Sequence, residues 1–271
     1  MRTPAAWELM WLVALGLYAA GKWASLAAGR NPGVTVARRA AYLLLFPGMN
    51  AGEFFGGVAG RRVERPGGAT FVTNIFLGAA LLWGLARAVP AGHPLVRGWI
   101  GMAGFVMLLH FGALQLVTLA WRQAGRDAPL LMNEPWRSKS LMEFWSERWN
   151  TAYRDLSHRF IYKPVARHFG PRMGMVAAFG VSGVVHDLVI SVPAQGGYGL
   201  PTVYFLVQAA GVFFERSALG HRALGHGAGR RCFAVAVVVG PLGLLFHPLF
   251  VMRVFVPFMA AIGALPREAM R

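Results

Sequence analysis

A histidine and an aspartate, His186 and Asp187, lie deep in an otherwise apolar run, in the string SGVVHDLVI (182–190). Ionisable residues are costly in hydrocarbon, so such a pair indicates a functional site by default. An imidazole titrates near neutral pH, which suits a general base. The alternative is that His186 only hydrogen-bonds a neighbouring helix. Asp187 and the flanking Ser182-Gly183, which permits a close approach, make this alternative weaker than it is for a lone membrane histidine. On a helix Asp187 points about 100° away from His186, so it is not an obvious orienting partner.

A second polar cluster stands in the string FWSERWN (144–150), which holds Trp145, Arg148, Trp149 and Asn150. The amide of Asn150 can both donate and accept a hydrogen bond, which suits it to hold a carbonyl or a hydroxyl group. The other interpretation is a set of lipid headgroup contacts, which is the usual role of Arg and Trp at a membrane interface.

The remaining polar residues are weaker candidates. His110 and His247 lie in apolar runs, where packing is the expected role, and Glu215 is expected to form a salt bridge at a helix end. Loops or interfaces hold the other histidines, which are His93, His158, His168, His221 and His226. No zinc-ligand spacing occurs, and the single cysteine, Cys232, is expected to be a packing residue. No metal and no cofactor are therefore predicted.

Composition indicates the elements that must position these residues. Of the 271 residues, 56% are hydrophobic and only 14% are charged, against about 25% charged in soluble domains. The mean hydropathy is +0.47. The bilayer must therefore solvate much of the chain, and we predict one membrane-embedded domain, 1–271, with an all-α, polytopic helical bundle. Its location is a membrane crossed several times, the inner membrane in a bacterium.

Apolar runs long enough to span a bilayer, which takes roughly 17–25 residues, predict seven or eight membrane segments. They are 5–28, 71–89, 98–121, 173–192, 202–219, 231–247 and 248–265. The first is interpreted as a retained anchor and not a signal peptide. An eighth run, 40–57, is broken by Pro47-Gly48 and is expected to be kinked or re-entrant.

One amphipathic helix is predicted outside the apolar runs, near 140–163, lying in the membrane interface. Ser140 and Glu143 have the spacing of a capping box at its start, and Pro164 is expected to end it. Trp145 and Trp149 belong to its apolar stripe, at headgroup depth.

The net charge of +16 favours partners that are anionic. Because the basic residues flank apolar runs, membrane lipids are the expected partner, an anionic cosubstrate is a second one, and nucleic acid is not expected. Positive loops predict a cytoplasmic location for the stretch 122–172, for Arg61, Arg62 and Arg65, and for the basic residues between 216 and 231. The uncharged link 193–201 should lie on the opposite side. Lys22, Arg30, Arg38 and Arg39 also look cytoplasmic, which leaves the first two segments ambiguous.

Several motifs in the stretch 140–188 together resemble the wax synthase branch of the membrane-bound O-acyltransferase superfamily. They are Ser140-Leu141, Phe144-Trp145, Arg148-Trp149-Asn150, Tyr162-Lys163-Pro164 and Ser182-Gly183-Val184-Val185-His186-Asp187. The resemblance departs in Asp187, where glutamate is common in relatives, and the chain is shorter than eukaryotic members.

The resemblance implies an ester-forming acyl transfer from an activated donor, usually acyl-CoA as cosubstrate, to an alcohol hydroxyl. It implies His186 as the catalytic histidine and Asn150 as the second active-site residue. The neighbouring residues expected to bind substrate are Trp145, Arg148, Trp149 and Asp187. His186 should then line a cavity and not face lipid.

Two other functions remain open from the residues alone. A transporter would use His186 as a relay and the broken run 40–57 as a gate. A membrane cytochrome would use His110, His186 or His247 as axial haem ligands, which a Soret absorption band would reveal.

Overall fold

The computed structural model describes residues 3–29, 33–56, 67–126 and 128–266, and within these ranges it contains helices and no strand. The helices are α1 (Ala6–Ala28), α2 (Val36–Leu45), α3 (Ala51–Phe55), α4 (Gly68–Ala88), α5 (Pro94–Gln123), α6 (141–148), α7 (Thr151–Ala194), α8 (Leu200–Arg216), α9 (Ala218–Leu224), α10 (Ala228–Leu245) and α11 (Pro248–Ala261). The predicted all-α class is confirmed.

Five of the described helices are long and apolar enough to cross a membrane, namely α1, α4, α5, α7 and α10. They coincide with five of the predicted segments. The predicted segments 202–219 and 248–265 correspond to the shorter helices α8, with 17 residues, and α11. The count of seven or eight membrane segments is therefore not confirmed.

The described residues divide into two compact units. The first contains 3–14, 133–150 and 154–255, and the second contains 15–132, 151–153 and 256–266, within the described ranges. The single domain 1–271 stays a prediction. His186, Asp187 and the cluster at 144–150 all belong to the first unit.

In the second unit, the run broken at Pro47-Gly48 is held by a buried lysine. Helix α2 ends at Leu45 and α3 begins at Ala51, so the predicted kink is confirmed. Lys22 donates to the carbonyl oxygens of Phe46 and Gly48, both at 2.7 Å, and its ammonium lies 3.7 Å from the centroid of the Tyr42 ring. The lysine satisfies carbonyls that the break removes from the helix, as buried irregular backbone requires. Lys22 therefore stabilises the break from inside the protein. The charge pattern had instead predicted that it lies at the cytoplasmic surface of the membrane.

In the first unit, α7 and α8 pack closely where a glycine permits it. A Cβ atom added at Gly183 would lie 2.5 Å from the Cα of Thr202, so only glycine fits this contact. The close approach predicted from Ser182-Gly183 is therefore confirmed. A cluster of buried residues, Leu141, Met175, Val212 and Ala234, joins α6, α7, α8 and α10 around this pair.

The predicted interface helix is two helices. The predicted N-cap is present, since the Ser140 hydroxyl accepts from the amide of Glu143 at 3.0 Å, whereas the Glu143 carboxylate accepts from the amide of Lys139, one residue before the cap, at 2.8 Å. This helix ends at Arg148, and the left-handed backbone of Asn150, where φ is 42°, separates it from the second helix.

Pro164 does not end the second helix, α7. A wide π-type turn at His158–Tyr162 precedes it, and the proline lies within the first turn of the α-type hydrogen bonding that follows, where its missing N–H is tolerated. The interruption lies at Gly170, where φ is 84°, directly before Pro171. The segment 171–194, which carries His186, therefore begins with a proline at a favourable position.

The topology can be tested with single cysteines in a Cys232→Ala background, because the thiol of Cys232 is itself exposed. Tyr198, 65% exposed in the uncharged link, is a better site than Gly197, where a Cβ atom would lie 2.5 Å from the His247 ring. Tyr198→Cys is expected to react with a membrane-impermeant maleimide only from the non-cytoplasmic face. Trp136→Cys, also at an exposed position, should react only from the cytoplasmic face. The reverse pattern would overturn the predicted orientation.

Four of the basic residues used to predict the orientation lie outside the described residues, namely Arg30, Arg61, Arg62 and Arg65.

Candidate active site

The backbone around His186 selects one tautomer of its ring. Nδ1 lies 2.7 Å from the carbonyl oxygen of Ser182, one turn earlier on α7. A carbonyl can only accept, so Nδ1 must carry the proton of a neutral imidazole. Nε2 then holds the lone pair, and it is the basic nitrogen. The regular α-helix ends at His186, and a π-type turn, Asp187–Ser191, follows directly. Such turns are frequent at functional sites.

An aromatic wall borders the imidazole. The ring of Phe205, on α8, has its centroid 4.5 Å from that of His186. The Phe205 ring also contacts the Trp145 ring on α6, and the centroids of these two rings are 5.8 Å apart. The Trp145 indole donates to the Gln208 amide oxygen at 3.3 Å, and the Gln208 amide donates to the carbonyl of Val237 at 2.8 Å. The structure therefore brings Trp145 and His186 to one aromatic cluster, with Phe205 between them.

Asp187 caps the N-terminus of α8. One carboxylate oxygen accepts from the hydroxyl of Ser191 and the amide of Gly199, both at 2.8 Å. The other accepts from the amide of Thr202 at 3.2 Å and from the hydroxyl of the same residue. A carboxylate at a helix N-terminus satisfies amides that lack a partner and interacts favourably with the helix dipole. This geometry favours a structural role for Asp187 over the predicted substrate contact.

The cap predicts a stability effect. Asp187→Asn replaces one acceptor oxygen by an NH₂ group that faces donors, so the variant should lose about 1–3 kcal/mol of unfolding free energy. Thermal unfolding of the detergent-solubilised protein would report this as a lower midpoint. The matched control is Asp155→Asn on the same helix, which removes only the ion pair with Arg154 at 2.9 Å and should change stability by about 0–1 kcal/mol. Equal midpoints for the two variants would contradict the capping role.

Arg148 is engaged within its own segment. Its guanidinium forms an ion pair with Glu143 at 2.6 Å and donates to the carbonyls of Asn133 and Glu134 at 3.3 and 3.4 Å. Partial burial would raise the pKa of the Glu143 carboxyl, but hydrogen bonds from the Lys139 amide and from Arg148 outweigh it and lower that pKa. Arg148 thus ties the segment 133–148 together, and its contact with substrate stays a prediction.

Trp149 and Asn150 form the junction of α6 and α7. The Trp149 ring stacks on Phe144, with centroids 5.5 Å apart and planes 18° from parallel. Asn150 adopts a left-handed backbone conformation, which asparagine tolerates better than most residues, and its carbonyl accepts from the amide of Arg154 at 3.0 Å. Asn150 is thereby fixed where the chain turns into α7, the helix that carries His186.

A buried glutamate positions α6. The carboxylate of Glu215, at the end of α8, accepts from the amides of Leu141 and Met142 at 3.0 and 3.1 Å and lies 3.8 Å from Arg230. Glu215 is fully buried. The predicted helix-end salt bridge is confirmed, and the same carboxylate also caps the helix that presents Trp145.

Two residues of the site, Phe205 and Gln208, escaped the sequence reasoning. Phe205 is one of many aromatic residues in apolar runs, and nothing in its local pattern distinguishes it. Gln208 is a polar residue inside the predicted segment 202–219, so its polarity was the available signal.

Comparison with known proteins places the site in a sequence family. Residues 128–208 match the description "Membrane bound O-acyl transferase family". This stretch of the chain is therefore similar to the membrane bound O-acyl transferase family. It contains both polar clusters and ends at Gln208, so it encloses α6, the kinked α7 and half of α8. The resemblance predicted from the stretch 140–188 is confirmed.

Two curated proteins from Arabidopsis thaliana are similar to part of the chain. One is described as "Probable long-chain-alcohol O-fatty-acyltransferase 2" and is 33% identical over 92 residues, or 31% of this chain and 25% of the relative. The other, "Probable long-chain-alcohol O-fatty-acyltransferase 1", is 34% identical over 67 residues, or 22% of this chain and 20% of the relative. The chain thus spans at most a quarter of the length of these two relatives.

Proposed function

We propose that this protein is a member of the membrane bound O-acyl transferase family and transfers an acyl group from a thioester, acyl-CoA, to the hydroxyl of an alcohol. The observation that carries the proposal is the tautomer of His186, whose Nδ1 is bound to the Ser182 carbonyl at 2.7 Å so that Nε2 is basic. A base of this kind meets the chemical need of ester formation, which is removal of the alcohol proton as its oxygen attacks the thioester.

His186 transfers one proton from the alcohol to the leaving thiolate during the proposed reaction. The alcohol oxygen bonds to the thioester carbonyl carbon while Nε2 of His186 takes the hydroxyl proton. The tetrahedral oxyanion accepts a hydrogen bond from the amide of Asn150. The carbon–sulfur bond then breaks, and the imidazolium returns its proton to the leaving thiolate. The products are an ester and a free thiol, and no acyl-enzyme is formed.

The aromatic wall supports a hydrophobic acyl substrate. Phe205 packs against the imidazole and Trp145 packs against Phe205, so the surroundings of His186 are apolar, which suits a hydrocarbon chain and reduces competing hydrolysis. The printed names of the two relatives refer to long-chain alcohols and fatty acyl groups. A long-chain alcohol is accordingly the first acceptor to test.

The test uses membranes that contain the protein, incubated with radiolabelled acyl-CoAs of several chain lengths and a long-chain alcohol. Both lipid and polar phases are extracted, so that an ester of a small or polar alcohol is also detected. The expected result is labelled ester, with free thiol released in equal amount and dependent on the alcohol. Thioester hydrolysis without any ester, for all chain lengths and acceptors, would refute the proposal. A Soret band in the purified protein would support the haem alternative instead.

A further inference from the structure

A buried chain of hydrogen bonds leads from the residue after His186 to a second histidine. Asp187 accepts from Ser191 at 2.8 Å, and the Ser191 hydroxyl lies 3.4 Å from Nε2 of His247, at the long end of the hydrogen-bond range. Ser191 and His247 are both almost completely buried. The three side chains come from α7 and from the N-terminus of α11, all within the first unit.

The capping of α11 by His247 determines which groups donate and which accept along this chain of hydrogen bonds. Nδ1 of His247 accepts the amide N–H of Phe250 at 3.2 Å, as an N-cap does. The proton of the neutral ring must therefore be on Nε2, which donates to the Ser191 oxygen. The single Ser191 proton is then available to Asp187, the nearer of its two acceptors, since the carbonyl of Gly197 lies at 3.2 Å.

The loop between α7 and α8 keeps the His247 ring in this orientation. A Cβ atom at Gly197 would lie 2.5 Å from the ring, so the backbone packs directly on the imidazole. Arg253, also on α11, donates to the carbonyls of Ala194 and Gln195 at 3.2 and 3.3 Å. The start of α11 is thus held against the loop by packing at the His247 ring and by the hydrogen bonds of Arg253.

We propose that His247 is a positioning residue for acyl transfer, which acts through Ser191 on Asp187 and thereby on His186. Asp187 links the His186 helix to the start of α8, and α8 carries Phe205 against the His186 ring. When the His247–Ser191 link is lost, the Asp187 carboxylate loses a fixed donor and the imidazole loses its defined position against Phe205. The proposal rests on the proposed acyl transfer for its kinetic test, and a spectroscopic test is independent of it.

Two substitutions distinguish the roles of the two ring nitrogens of His247. The side-chain oxygen of Asn in His247→Asn replaces Nδ1 as the cap of α11 but cannot reach Ser191. The amide nitrogen of Gln in His247→Gln replaces Nε2 as donor but does not supply the cap. His247→Asn is therefore expected to lower kcat by about 10- to 100-fold with the KM for acyl-CoA unchanged, which is the effect of a misplaced catalytic group. His247→Gln should recover most of kcat.

Ser191→Ala completes the series. It removes the hydroxyl that joins Asp187 to His247, so its kcat should fall as far as that of His247→Asn. The double variant, which combines Ser191→Ala with His247→Asn, should have a kcat no lower than that of either single variant. His158→Asn, at an exposed histidine of α7, is the matched control and should keep the wild-type kcat. Wild-type kcat in His247→Asn together with a loss in His247→Gln would show that His247 only caps α11, and additive losses would also overturn the proposal.

The spectroscopic test uses ¹⁵N-histidine-labelled protein, with the His186 resonances assigned by their loss in His186→Ala. His247→Asn and Ser191→Ala are expected to shift the His186 resonances, whereas His247→Gln and His158→Asn leave them in place. Unchanged His186 resonances in all variants would refute the positioning role even if the wild-type protein transfers acyl groups. If the wild-type protein transfers none, the proposed function fails while these resonances still decide whether His247 positions His186.

Discussion

His186→Ala is expected to lower acyl transfer by about 10²–10⁴-fold, the usual contribution of a positioned general base. The reason is the assignment of the lone pair to Nε2, which follows from the hydrogen bond between Nδ1 and the Ser182 carbonyl. The initial rate of ester formation, measured at saturating acyl-CoA and alcohol, gives the loss directly. The protein should remain inserted and folded, because the lost ring makes one hydrogen bond and one aromatic contact among the described interactions.

A second variant distinguishes the chemical role of His186 from a structural one. The side-chain amide of Asn in His186→Asn can still donate to the Ser182 carbonyl, but it has no nitrogen in the place of Nε2. Equal inactivity of His186→Ala and His186→Asn would therefore identify the loss of the base as the cause. Restored turnover in His186→Asn, or near wild-type turnover in His186→Ala, would contradict the mechanism. His158→Ala, on the same helix, controls for the general effect of removing a histidine.

The sequence predicted those parts of the fold that depend on local pattern. Long apolar runs located the five helices of membrane-spanning length, and the Ser140–Glu143 spacing located the start of α6. Gly183 marked a close helix contact because only a missing side chain permits it. The signal for each of these features lies in residues that are close together along the chain, even where the contact itself, as at Gly183, is with another helix.

The break at Asn150 and the continuation through Pro164 were not predictable in the same way. No glycine or proline marks the break, and the left-handed backbone at Asn150 coincides with packing of Trp149 on Phe144 and of Glu215 on the start of α6. Pro164 is a helix breaker by local rules, but the wide turn before it makes it compatible with a helix. The break at Asn150 and the continuation of the helix through Pro164 therefore depend on tertiary contacts and on helix geometry, which the local sequence does not reveal.

The same distinction applies to the candidate site. His186 stood out because ionisable groups are costly in hydrocarbon, whatever surrounds them, and Asn150 stood out because its amide can both donate and accept a hydrogen bond. The role of Asp187 depends on the position of α8, since its hydrogen-bond partners Gly199 and Thr202 are distant in sequence. His247 seemed to be a packing residue because its partner Ser191 is 56 positions away.

Asn150 is expected to contribute about 10²–10³-fold to turnover if its amide stabilises the oxyanion. The simple variant Asn150→Ala would confuse two effects, because φ is 42° at this position and alanine lacks the polar side chain that helps asparagine to adopt a left-handed backbone, whose cost is about 1–2 kcal/mol. Asn150→Gly adopts this conformation without strain. It removes the side-chain amide without adding backbone strain, and its ester-forming rate should fall by the full factor while the thermal unfolding midpoint stays close to that of the wild type.

Asn150→Asp sharpens the same test, because aspartate also tolerates a left-handed backbone and has nearly the shape of asparagine. Its carboxylate loses the donor and repels the negative charge that develops on the carbonyl oxygen, so the rate should fall at least as far as in Asn150→Gly. The two variants together separate chemistry from geometry. If Asn150 acts only as the junction of α6 and α7, both variants should keep the wild-type rate and only Asn150→Ala should be impaired, which would remove Asn150 from the proposed mechanism.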